Sequence, residues 1–183
     1  QVDRRDKKVR GYRYVKNKFT FGQIESSKKS VFFKFDALLG ELEIKVDEKS
    51  SVYLIKRLGN KISFIDKAYK VFKDEDDELN FFLISDNCTK NCLLVKEKKK
   101  LSEAVIPENG YQKYKPPTYS KVKETYYVSF DGENAIKIPT KKKLFFKFFG
   151  DKEKDIKSFM KKRKLKRKNK EDLVKIINFY KTL

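Results

Sequence analysis

The sequence predicts an α+β protein in which an antiparallel, meandering β-sheet is followed by three short helices at the C-terminal end. Three observations carry this. Apolar and polar residues alternate with a period close to two from residue 31 to residue 130. The gaps between the alternating runs are turn-rich and too short for the crossover helix that parallel strands need. After Pro139 the apolar spacing changes to three and four. Periodicity does not choose between an open twisted sheet, a sandwich and a partial barrel.

The strands are expected at residues 31–36, 40–46, 51–55, 61–65, 68–72, 80–84, 92–97 and 126–130. The second is the clearest, with Leu42, Ile44 and Val46 on one face and Glu41, Glu43 and Lys45 on the solvent side. Turns are marked by Asp47-Glu48-Lys49-Ser50, by Gly59-Asn60, by the acidic stretch 73–78 and by Asp131-Gly132. Residues 107–117, with Pro116 and Pro117 together, fit neither period and are expected to form a long loop. Thr140 is expected to cap a first helix carrying Leu144, Phe145, Phe148 and Phe149, with Gly150 as its stop. A second helix spans about 151–163 with Ile156, Phe159 and Met160 inward. A third starts at Asn169 or Lys170, with Glu171 and Asp172 in its first turn and Leu173, Ile176, Ile177 and Tyr180 along one face. Helices this short are unstable alone, so they must pack on the sheet or on each other. This divides the chain into a β domain, 1–139, and a basic helical segment, 140–183, packed on it as one structural unit.

With 183 residues, 39% apolar, the chain is long enough for one folded domain. No apolar run reaches the roughly 18 residues of a membrane-spanning helix. The sequence contains no histidine, which removes imidazole acid/base catalysis, Ser-His and Cys-His nucleophile pairs and most zinc sites. The glycines form no phosphate-cradling loop. Glu41 and Glu43 read as solvent-side residues rather than a glycosidase pair, and the acids of 74–78 as a solvated hairpin turn rather than a calcium loop. No catalytic residue, cofactor or metal site is therefore expected.

The net charge is +20, from 46 Lys and Arg against 26 Asp and Glu. It is concentrated towards the C-terminus, where Lys161, Lys162, Arg163, Lys164, Lys166, Arg167 and Lys168 follow one another with no acid among them. Such a block attracts phosphates, lipopolysaccharide, acidic protein surfaces or nucleic acid, and can equally be a solvated corner between helices. Lysine outnumbers arginine, whereas base readout favours arginine forks. Tyr111 and Tyr114, interleaved with lysines in the 107–117 loop, are the aromatic candidates for stacking on a partner.

The two cysteines, Cys88 and Cys92, fall in a turn-rich stretch between two apolar runs, at a hairpin tip. At four residues apart they can either be bridged in an oxidising compartment or stay as free thiols. The opening at Gln1 is expected to be the end left by removal of an export signal.

Several segments, taken in order, resemble a family of small exported proteins of flavobacteria and other Bacteroidota. They are Gly11-Tyr12-Arg13-Tyr14 with Phe19 and Gly22, Asp36-Ala37 before Gly40-Glu41-Leu42-Glu43-Ile44, and Ala68-Tyr69-Lys70-Val71-Phe72. Leu94-Val95-Lys96-Glu97, Ile138-Pro139-Thr140 and Lys170-Glu171-Asp172-Leu173-Val174 continue the series. The resemblance implies a periplasmic envelope protein made with a cleaved signal peptide, and it transfers no catalytic or ligand residues. The expected role is a non-catalytic interaction module on an outer-membrane protein machine, most concretely an accessory or plug of the type IX secretion translocon. Nucleic-acid binding through the basic tract is the alternative.

Overall fold

The computed structural model describes residues 8–85, 87–107 and 113–183. Its strands are β1 (Thr20–Ile24), β2 (Lys29–Asp36), β3 (Glu41–Lys45), β4 (Ser51–Tyr53), β5 (Lys61–Phe64), β6 (Lys67–Lys73), β7 (Leu79–Ser85), β8 (Cys92–Lys98), β9 (Leu101–Ser102), β10 (Thr118–Tyr119), β11 (Lys123–Ser129) and β12 (Ile136–Lys137). The helices are α1 (Lys142–Lys147), α2 (Glu153–Arg163) and α3 (Lys170–Tyr180), with a 3-10 turn, Gly150–Lys152, leading into α2.

Ten strands form one open sheet in the order β12-β11-β8-β7-β6-β5-β1-β2-β3-β4, and β9 and β10 pair separately. The sheet is two meanders joined where β5 pairs with β1 instead of β4, in the register Gln23↔Ser63 and Ile24↔Ile62. The longest ladder is β6–β7, from Lys67↔Ser85 to Lys73↔Leu79, closed by the acidic turn. There Asp74 Oδ1 accepts from the backbone N–H groups of Asp76 and Glu78. The turn reading of 74–78 holds because this carboxylate replaces the backbone partners that a tight turn leaves open.

The chain divides into two compact units. Of the described residues, the first contains 8–21, 31–54, 97–107 and 113–124; Phe33, Phe35, Ala37 and Leu42 are its buried apolar residues of lowest exposure. The second contains 22–30, 55–96 and 125–183. Its apolar interior includes two clusters. One gathers Phe72, Phe82, Ile84, Cys92 and Leu94 from β6, β7 and β8. The other joins Val128 of β11 and Ile138 to Phe145, Phe149, Ile156, Met160, Leu173 and Ile176 of the helical segment. The helices are thus stabilised by tertiary burial, as their shortness requires. Phe159 of α2 stacks on Phe179 of α3 with centroids 4.0 Å apart.

One local expectation is corrected. The residue preceding α1 is Lys141, with no side-chain cap, so Thr140 does not cap the helix; its carbonyl accepts from Arg167 Nε at 3.1 Å. Val105 and Lys115 exchange two backbone hydrogen bonds at 2.9 and 3.1 Å, and residues 108–112 of the expected loop lie outside the described residues.

Candidate polyanion-binding cleft

An open cleft of about 890 Å³ lies within the helical segment, lined by residues of α1, α2 and the corner between α2 and α3. The corner is made by a left-handed residue. Lys164 has φ 54° and ψ 35°, the Leu165 N–H donates to the Met160 carbonyl at 2.9 Å, and the Lys164 N–H donates to the Lys161 carbonyl at 3.3 Å. This pair of bonds closes a helix C-terminus when the residue after it turns left-handed. The next helix is started by Asn169, whose side chain accepts from the Asp172 N–H at 3.0 Å. Asp172 in turn accepts from the Lys166 N–H at 2.8 Å, and Arg167 reaches back to Thr140. The corner is therefore fixed by its own bonds.

Into this cleft the fold brings Lys161, Lys164, Lys166, Arg167 and Lys168, and adds Lys142 of α1 and Lys157 of α2. The apolar part of the lining is Phe146, Met160 and Leu165. Among the described residues no carboxylate lines the cleft; Lys157 pairs with Glu153, one helical turn before it. A cleft lined by charges of one sign focuses a positive potential. Lys162 does not line the cleft, and Arg163 faces a separate shallow depression with Phe159 and Phe179. Tyr114 belongs to the other compact unit and is half-buried, and Tyr111 lies outside the described residues.

Sequence reasoning missed Lys142 and Lys157. The signal for Lys157 was present, because 157, 161 and 164 are spaced four and three apart and so share one face of a helix. Lys142 comes from a different helix, and only tertiary packing brings it in.

Three carboxylates, Glu43, Asp36 and Asp131, are engaged structurally. Glu43 is 8% exposed, so the solvent-side reading of this residue is corrected. It accepts from the Tyr14 hydroxyl at 2.5 Å and the Ser51 hydroxyl at 2.7 Å, and Lys34 lies 3.7 Å away. Burial works against its ionisation, but these donors together outweigh that and hold the carboxyl below its ordinary range. Asp36, fully buried, pairs with Arg13 and accepts from the N–H groups of Leu38 and Leu39. Asp131 accepts from the backbone of Asn134 and Glu133 at 2.8 Å each and from the Asn134 side chain at 2.6 Å. These bonds push its carboxyl well down. Each of these acids closes a turn or neutralises a cation. Among the described residues no cluster of three or more Cys, Asp or Glu is arranged to hold a metal, and no helix is long and apolar enough to cross a membrane.

No protein-family model, curated protein or solved structure matches this chain.

Cys88 and Cys92 are joined in a disulfide, at the turn between β7 and β8 where the sequence pattern put them.

Proposed function

We propose that this protein is a non-catalytic interaction module whose working surface is the basic cleft of its helical segment. The observation that carries the reading is the convergence of seven cations, drawn from α1, α2 and the following corner, on an opening with an apolar floor and no carboxylate in its described lining. A surface of this kind steers the protein towards anionic partners and loses strength as salt is added. The engagement of Glu43, Asp36 and Asp131 in a turn and in ion pairs supports a binding role over a hydrolytic one.

In the periplasmic setting that the family resemblance implies, the partner is an acidic surface of an outer-membrane protein machine, with the type IX secretion translocon as the most concrete candidate. The test is mild solubilisation of native envelopes and recovery of the full-length protein. Co-purification with a large barrel protein, lost when Lys161, Lys164, Lys166 and Lys168 are changed to glutamine, is the expected result. Recovery as a free monomer at about 0.15 M salt overturns it.

The carboxylate-free lining also favours a second reading, binding of nucleic acid. It requires an affinity whose logarithm falls with the logarithm of salt by about 0.7 to 0.9 per phosphate neutralised. Absence of binding to single- and double-stranded oligonucleotides at about 0.15 M salt removes it.

A further inference from the structure

A second cavity, of about 560 Å³, lies elsewhere in the same compact unit and shares no lining residue with the basic cleft. Its apolar lining includes Leu83 of β7, Leu93 and Val95 of β8, and Val174 and Ile177 of α3. Lys67, Lys90, Lys170 and Lys181 also line it, and among the described residues Asp66 is the one carboxylate there. One wall is the disulfide loop, through Cys88, Thr89 and Asn91.

The structure assigns this cavity to a free long-chain fatty acid. Among the described residues its apolar side chains are all aliphatic, with no aromatic ring in the lining, which suits a flexible methylene chain better than a planar ligand. The cations among its described lining residues are lysines, so they offer point charges to a single anionic head rather than a planar fork. The volume falls within the range of small-molecule pockets. The loop forming one wall is set in place before any ligand arrives. It is cross-linked by Cys88–Cys92, and behind it Gly132 approaches so closely that a Cβ there would lie 2.8 Å from the Thr89 carbonyl oxygen. A preformed wall lowers the ordering cost of binding.

The test is titration of the full-length protein with the fluorescent fatty acid cis-parinarate below its micellar concentration, with competition by other compounds. The expected result is saturable binding at one site and displacement by dodecanoate, with dodecanol at least about tenfold weaker and acetate inactive. Val174 is exposed on α3 (41%), so Val174→Trp keeps the fold and fills the opening, lowering affinity at least about tenfold. Lys181→Glu, at the exposed end of the same helix, weakens dodecanoate without weakening dodecanol. The assignment is overturned if cis-parinarate fails to bind, if V174W with an unchanged circular dichroism spectrum binds as well as the parent, or if dodecanol competes as strongly as dodecanoate. Displacement of the probe by polyphosphate overturns it too, because the ligand would then occupy the basic cleft. So does binding only to phosphatidylglycerol vesicles, which would mean a lipid surface instead of a free acid.

Discussion

Tyr14 and Glu43 are joined by a 2.5 Å hydrogen bond in which the phenol donates to Oε2, with the Lys34 ammonium 3.9 Å from the centre of the Tyr14 ring and 3.7 Å from the other carboxylate oxygen. Burial, followed by the bond to Glu43, pushes the Tyr14 hydroxyl well above its usual range. Removing a donor to a charged, buried acceptor costs more than an ordinary hydrogen bond. Tyr14→Phe is therefore expected to destabilise the fold by about 2 kcal/mol in urea unfolding, and Tyr14→Phe combined with Glu43→Gln by less than the sum of the two single changes.

Stability is expected to fall on the acid side. Glu43, Asp74 and Asp131 are all held below the ordinary carboxylate range. In Asp74, burial is outweighed by the N–H groups of Asp76 and Glu78 and by Lys96. A carboxylate with a depressed folded-state pKa binds protons more readily when unfolded, so its contribution is present above about pH 4 and is lost as pH falls from there towards the folded value. Thermal melts between pH 7 and pH 2.5 should show this decline. Asp131→Asn should have a lower Tm than the parent at pH 7 and approach it at pH 2.5.

The disulfide closes a short loop, and its stabilisation should be correspondingly modest. Loop-closure entropy for a ring of about five residues gives roughly 2 kcal/mol, so replacing both Cys88 and Cys92 with serine should lower stability by about that amount. A parent protein whose Tm is unchanged by reductant would refute this.

Gly132 should tolerate no side chain. It has φ +91° and faces the Thr89 carbonyl, while its own carbonyl accepts from Lys70 Nζ at 3.1 Å. Gly132→Ala meets both a left-handed backbone and a fixed neighbour, and a loss of about 2 kcal/mol or more is expected by denaturant titration.

Two changes at the corner between α2 and α3 should have opposite signs. Asn169→Ala removes the cap from α3 and should cost about 1 kcal/mol. Lys164→Gly relieves a left-handed side-chain conformation and should stabilise by up to about 1 kcal/mol. Paired chemical denaturation curves for the two variants check both.

Alternation showed most plainly in β2, where Val31, Phe33 and Phe35 are buried and Phe32 is exposed, and the helices were legible because Ile156, Met160, Leu173 and Ile176 recur at helical spacing. β1 was missed because Gly22 interrupts its pattern. β9, β10 and β12 were missed because two residues carry no period. The order of the sheet depends on the long-range pairing of β5 with β1, which no local signal encodes. The same limit applies to the cleft: the basic tract was plain in the sequence, but the contribution of Lys142, the loss of Lys162 and Arg163 from the lining, and the buried state of Glu43 all follow from packing. The fatty-acid cavity left no sequence signature because its walls come from β7, β8, α3 and the turn between the strands.

Seven cations lining one opening repel each other, and the contacts opposing them include apolar ones, Phe159 on Phe179 among them. Added electrolyte shields the repulsion while leaving the ring contact intact. The helical segment should therefore tighten as a buffer becomes more concentrated, whereas a protein fastened mainly by ion pairs would loosen, and multivalent phosphate should act as a fastener at low millimolar levels.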